Sequence, residues 1–169
     1  MKKFLSLTFV LLLLLSLCAC NGDQEPPASR TPAPNLFIFD ENGNQVTLRE
    51  FAGKPVVLNF WASWCEPCMA EMSGFQKAYE TYGDQIHFVM VNMTDGDQET
   101  METAMACIND GGYTFPVYFD TSSMAALIYG ISTIPVTYFI DAQGNMVTYT
   151  DTALSQDALQ QGIDMLLQE

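Results

Sequence analysis

Apolar and polar positions change period several times along the chain, and each change marks an element. The run Val56-Val57-Leu58-Asn59-Phe60-Trp61 is almost continuously apolar, which predicts a strand buried on both faces at the centre of a sheet. Ahead of it, residues 36–39 and 45–48 flank the turn signal Asp40-Glu41-Asn42-Gly43-Asn44 and read as an opening hairpin. Leu48-Arg49-Glu50-Phe51 reads as a short helical piece. A helical pattern begins at Cys68, where Met69, Met72, Phe75, Tyr79 and Tyr82 form one buried stripe that ends at Gly83. The methionines of that stripe read as core filler.

The second half continues the alternation. Residues 86–91 form an apolar strand, 98–109 a helix with Met101, Ala104, Met105 and Ile108 on one face, and 116–119 a strand. Residues 122–129 form a short helix stopped by Gly130. Residues 136–140 and 146–149 form a hairpin around Asp141-Ala142-Gln143-Gly144-Asn145, and Ser155 caps a last amphipathic helix through Leu159, Ile163 and Leu166. Strands alternating with helices and finishing in a hairpin predict an α/β fold, a mixed sheet flanked by helices with an added N-terminal β-hairpin.

The ends need a different reading. Met1-Lys2-Lys3 and the apolar run 4–17 have the basic start and short hydrophobic stretch of a secretory signal, shorter than the roughly 20 residues of a spanning helix. Its exit, Leu17-Cys18-Ala19-Cys20, resembles a bacterial lipobox, with Cys20 as the lipidated residue; the plainer alternative is a cleaved signal with incidental cysteines. Residues 21–35, with Pro26, Pro27, Pro32 and Pro34, read as a polar tether. The expected division is therefore 1–19 signal peptide, 20–34 lipidated cysteine and tether, and 35–169 a single domain. The formal charge is −14, from 20 acids and six bases. It becomes about −16 if Lys2 and Lys3 leave with the leader, which makes nucleic acid and anionic membrane surfaces poor partners.

The chemistry lies at the end of the central run, in Trp64-Cys65-Glu66-Pro67-Cys68. A strand delivers two cysteines, spaced C-x-x-C, to a helix N-terminus, whose unpaired N–H groups and dipole stabilise an anion. Such a setting lowers a thiol pKa from about 8.5 toward roughly 3.5–7.5, and the thiolate is the reactive form. Cys65 reads as the attacking thiol, and Cys68, one turn further in, as the thiol that resolves a mixed disulfide. Pro67 suits the first helical turn and stiffens the ring that the disulfide closes. A structural disulfide and half of a zinc site are the alternatives. Zinc needs a second pair of ligands, and only Cys107 and His87 remain in the domain, so no metal and no cofactor are expected.

The run from Gly53 to Cys68, followed by Glu71 and by Gly130-Ile131-Ser132-Thr133-Ile134-Pro135-Val136-Thr137-Tyr138-Phe139-Ile140-Asp141, resembles the TlpA/ResA-like branch of thioredoxin-fold proteins. The resemblance covers the chain from about residue 35 onward and implies a thioredoxin-like domain. It implies a thiol-disulfide oxidoreductase, anchored outside the cytoplasmic membrane and acting as a reductant. By position, Cys65 matches an exposed nucleophile, Cys68 the resolving thiol and Pro135 a cis-proline beside the dithiol, with the Ile134 backbone pairing with a substrate. Glu66 and Pro67 match the dipeptide of the ResA-like members, and Trp64 would shield the site. Glu71 matches a partly buried, proton-handling glutamate; on the sequence alone a solvated surface acid is equally open. Asn59 stands where thioredoxins themselves carry a buried acid, which moves proton handling toward Glu71. Val136 replaces a threonine often found after the cis-proline. Cys107 reads as a flanking structural thiol and His87 as structural.

The partners that the resemblance implies are exported disulfide-containing proteins, such as apocytochrome c or a methionine sulfoxide reductase, and a CcdA-type membrane thiol carrier as electron donor. A monomer held to the membrane by its lipid is expected. A disulfide-forming oxidase uses the same residues at a higher potential. A peroxiredoxin-type peroxidase would need an activating arginine, and Arg30 and Arg49 lie outside the dithiol motif. Copper delivery would favour a wider cysteine spacing with a partner histidine.

Overall fold

The computed structural model describes residues 30–168, so the expected leader and Cys20 lie outside the described residues. The strands are β1 (Phe37–Phe39), β2 (Gln45–Thr47), β3 (Val56–Trp61), β4 (His87–Asn92), β5 (Val117–Phe119), β6 (Val136–Ile140) and β7 (Met146–Thr150). The helices are α1 (Glu66–Tyr82), α2 (Met101–Asp110), α3 (Met124–Tyr129) and α4 (Gln156–Leu167), and Leu48–Phe51 is a 3-10 turn. One sheet runs β2-β1-β5-β4-β3-β6-β7. Strand β3 is parallel to β4 and antiparallel to β6, and β4 is parallel to β5.

All six residues of β3 are buried, as its apolar run requires of a strand with neighbours on both edges and helices on both faces. Its period of two deals the side chains to two cores. Val57 and Trp61 pack with Met72 and Phe75 of α1, Ala104 and Ile108 of α2 and Leu159, Ile163 and Leu166 of α4. Val56, Leu58 and Phe60 face the other way, onto Leu36, Ile38, Val89, Ala125, Tyr129 and Tyr138. Burying one side chain the size of Phe75 contributes about 2 kcal/mol. Asn59, in phase with Val57 and Trp61, is carried into the first core with no exposed surface.

Three helix starts differ from the expected ones. α1 begins at Glu66, not Cys68, because Glu66 and Pro67 are exposed and add nothing to the apolar stripe that marks the rest of the helix. α2 begins at Met101, not at 98, because Thr100 caps it in a reciprocal box with Thr103. α3 begins at Met124, not at 122, because Ser123 ahead of it stands in the left-handed region at φ +56°. Gly130 stops α3 at φ +65°, a left-handed position that favours glycine. Pairing of the chain starts ahead of residue 35: the Ala33 N–H donates to Gly144 O at 2.9 Å and the Met146 N–H to Thr31 O at 2.9 Å. Among the described residues, no helix is long and apolar enough to cross a membrane.

Candidate active site

β3 ends at Trp61, and a tight turn closed by the Cys65 N–H to Ala62 O (3.2 Å) leads into α1. Cys65 is the N-cap of α1, in extended conformation (φ −84°, ψ 98°), and its sulfur accepts the Cys68 N–H at 3.2 Å. A first-turn donor is thus aimed at the sulfur expected to act as nucleophile, the arrangement that stabilises a thiolate. Cys65 and Cys68 form a disulfide with Cα atoms 5.2 Å apart. The exposed nucleophile needs correction: Cys65 keeps 4% of its surface and Cys68 none, because both belong to the core with Trp61, Ala62 and Met72 and the segment before β6 lies against Cys65. Cys65 remains the more accessible sulfur, and it lies 3.8 Å from the carbonyl oxygen of Ile134. The Ile134–Pro135 bond is cis, as the resemblance implied.

One turn beyond Cys68 on the buried side of α1 sits Glu71, with 4% of its surface exposed. The surface-acid alternative therefore fails. Its Oε1 accepts Asn59 Nδ2 at 3.0 Å, and its Oε2 accepts the Leu154 N–H at 2.7 Å. Asn59 Nδ2 also donates to Thr137 Oγ1 on β6, at 2.9 Å. Burial pushes the Glu71 carboxyl from its ordinary 4.5 up to about 7, and the Leu154 and Asn59 donors oppose that rise without cancelling it. A buried carboxyl that exchanges its proton near neutrality thus stands one helical turn from the buried sulfur.

Comparison with known proteins agrees with this geometry. Residues 29–149 match the AhpC/TSA family. The chain belongs to the AhpC/TSA family. It is 32% identical over 126 residues to the thiol-disulfide oxidoreductase ResA of Bacillus anthracis, covering 75% of this chain and 71% of that one. Its fold superposes on StoA from Bacillus subtilis with a TM-score of 0.66 at 24% identity, over 80% of this chain and 99% of that one. It also superposes on the pneumococcal exposed lipoprotein thioredoxin Etrx1 from Streptococcus pneumoniae, with a TM-score of 0.65 at 27% identity, over 79% of this chain and all of that one. Within the AhpC/TSA family this chain has the thioredoxin fold and is a thiol-disulfide oxidoreductase of the ResA type.

The other expected residues of this AhpC/TSA member fall around the dithiol in different ways. Trp64 does not seal the site. It is 51% exposed, and with Met93, Ile131, Ser132, Thr133 and Ile134 it lines an open, mainly apolar groove of about 380 Å³. Glu66 and Pro67 are exposed on the first turn of α1, and Pro135 is buried. Val136, also buried, faces the core that lies across the sheet from the dithiol. His87 packs edge-on against Phe51, with ring centroids 5.3 Å apart, and burial and then the Lys54 charge hold its imidazole below its usual pKa. Cys107 is a free thiol whose Sγ lies 3.2 Å from Met69 Sδ. Burial, and then the charges of Glu99 and Asp110, push its pKa up, which disfavours the reactive thiolate. Among the described residues, no group of three or more His, Cys, Asp or Glu could hold a metal.

Sequence reasoning missed two partners of the site. Glu99, fully buried, accepts the Ser63 N–H (2.9 Å) and the Asn92 Nδ2 (2.6 Å) at Oε1, and the Ser63 hydroxyl (2.6 Å) at Oε2. It ties the turn that carries Trp64 and Cys65 to the end of β4. Periodicity placed it inside α2, and only the threonine pair of the cap could have freed it. Thr137 carries no sequence signal beyond its place in the motif after Pro135, yet it is the third member of the Asn59–Glu71 cluster.

Proposed function

We propose that this protein is a reductase of disulfides in exported proteins, held outside the cytoplasmic membrane as a lipoprotein through Cys20. The observation that carries the reading is the buried Glu71, raised to about 7, one turn from a dithiol whose outer sulfur receives a helix N–H. The reduced Cys65 thiolate attacks a substrate disulfide; a Cys65–substrate bond forms and the first substrate sulfur leaves, taking up a proton. Cys68 then gives its proton to Glu71 and attacks the Cys65 sulfur. The intramolecular disulfide forms, and the second substrate sulfur leaves and is protonated. Glu71 is poised for that exchange because its midpoint lies near neutrality. The groove beside Trp64 and Ile134 would receive the apolar flank of the substrate strand, with the Ile134 backbone pairing to it.

A membrane thiol carrier of the CcdA type would return the disulfide to the dithiol state, and apocytochrome c or a methionine sulfoxide reductase would be among the acceptors. The monomer needs no metal or cofactor for this exchange. The likeness to Etrx1, an exposed lipoprotein thioredoxin of Streptococcus pneumoniae, supports the anchor. A peroxidase reading is disfavoured by where the arginines sit. Arg30 pairs with Asp141, and Arg49 lines a cleft with Val56 and Asp141, at the start of β3. The dithiol follows the other end of that six-residue strand, about 20 Å away.

Equilibrating the purified protein with a glutathione or dithiothreitol buffer measures the potential of the Cys65–Cys68 pair. A value near or below about −270 mV makes it a reductant; one near about −120 mV makes it an oxidant of exported chains and overturns the proposal.

A further inference from the structure

Asn59 is buried completely, yet one of its two polar atoms has no partner among the described residues. Nδ2 uses both its hydrogens, on Glu71 Oε1 and on Thr137 Oγ1, while Oδ1 faces no donor. A buried polar atom left unpaired is costly, and native interiors seldom keep one without a use. The arrangement suits only one state of its neighbour. Toward a carboxylate, Asn59 must present a donor. Toward a carboxylic acid whose other oxygen is held by the Leu154 N–H, it must present an acceptor, because the acid's proton sits on Oε1.

We propose that Asn59 is the positioning residue for the Glu71 proton, its carboxamide turning over as that proton comes and goes. With Glu71 ionised, Nδ2 faces Oε1 and Oδ1 is unpaired. With Glu71 protonated, Oδ1 faces Oε1 and accepts its proton, and Nδ2 moves to the unpaired side. Thr137 permits both orientations, since a hydroxyl accepts from Nδ2 in the first and donates to Oδ1 in the second. Each orientation leaves one end of the amide unpaired, Oδ1 in the first and Nδ2 in the second, and the state of Glu71 decides between them. The groups that face Glu71 are neutral: Asn59 from β3, Thr137 through Asn59 from β6, the Leu154 amide from the segment before α4, and the disulfide-bonded Cys68 on α1. Among the described residues no neighbouring charge contributes to the shift of Glu71, so its own proton is the charge change in the cluster.

The inference rests on the proton-exchanging Glu71 of the proposed function, but its test reads the amide directly. In oxidised, isotopically labelled protein, the Glu71 carboxyl carbon and the nuclear Overhauser effect from the Asn59 Nδ2 protons to the Thr137 methyl are followed across pH. The Overhauser intensity should fall several-fold below the Glu71 midpoint, tracking the carboxyl titration. Glu71→Gln should hold the low-pH intensity at every pH, because its Oε1 takes the Leu154 N–H and its amide then presents a donor to Asn59. Intensity that stays constant while Glu71 titrates, or a Glu71→Gln variant fixed in the high-pH pattern, overturns the inference. Neither result bears on disulfide reduction, whose failure would refute the proposed function and leave the amide exchange standing.

Discussion

Replacing Glu71 with Gln removes one titration from the protein, and its size follows from the burial of that side chain. The carboxyl is raised from 4.5 to about 7 in the fold, while in the unfolded chain it keeps its ordinary value. Between those limits the native state holds a proton that the unfolded state has released, so native stability falls as pH rises. Below the lower limit both states are protonated and Glu71 carries no penalty; above the upper limit both are ionised and the penalty is complete. At roughly 1.4 kcal/mol per pH unit, the penalty reaches about 3 kcal/mol. Gln keeps the shape and the donor-plus-acceptor pattern of the protonated acid but cannot ionise. Other titrating groups act equally in both proteins and cancel in the difference. Urea unfolding of the oxidised proteins, followed by tryptophan fluorescence from about pH 4 to about pH 8, should show Glu71→Gln gaining about 3 kcal/mol on the parent as pH rises. The gain should be confined to the interval between the two midpoints. A difference that does not vary with pH, or one that favours the parent at high pH, refutes the assignment of Glu71 as a desolvated acid.

Three further outcomes follow from other parts of the molecule. Cys68→Ser should leave Cys65 to form a mixed disulfide with a disulfide-containing peptide that is not resolved, accumulating as a covalent adduct by mass spectrometry; no adduct would remove Cys65 as the nucleophile. Glu99→Ala strips the acceptor from the Ser63 N–H, the Ser63 hydroxyl and the Asn92 amide, and should lower unfolding free energy by about 2–4 kcal/mol, against less than about 1.5 kcal/mol for Glu99→Gln. Gly162→Ala brings a Cβ into a clash with the ring edge of Phe139, where α4 crosses β6, and should cost about 1–3 kcal/mol by thermal unfolding.

The parts of the fold that the sequence displayed are those whose signal is local. The bounds of β3 coincide with its apolar run because a doubly covered strand needs apolar residues at every position but Asn59. The hairpins of β1–β2 and β6–β7 were visible in their turn residues, and Gly130 in its position at the end of α3. The dithiol was legible because its chemistry requires two cysteines at fixed spacing in one short segment. The cluster around Glu71 was not. Asn59, Thr137 and Leu154 meet it across 12 to 83 residues of sequence or through one another, and no periodicity reports such a meeting. The resemblance pointed to Glu71, but only burial distinguishes a buried acid from one on the helix surface.

The two buried glutamates divide the support of the dithiol between them, and the number of donors each receives explains how. Glu99 gathers three donors on two oxygens, all from the turn before Cys65 and the end of β4, and thereby fixes where the turn lies. Glu71 gathers two, from Asn59 and Leu154, beside the apolar cluster of α1 and α4. Two donors do not offset the loss of water around a carboxylate, so its charge comes and goes near neutrality. A third donor at Glu71 would lower its pKa and end the exchange, whereas removing one from Glu99 would loosen the turn. The unpaired Oδ1 of Asn59 belongs to this economy of donors: the neighbour of Glu71 is an amide with an idle acceptor, and that acceptor becomes useful only when Glu71 takes up its proton.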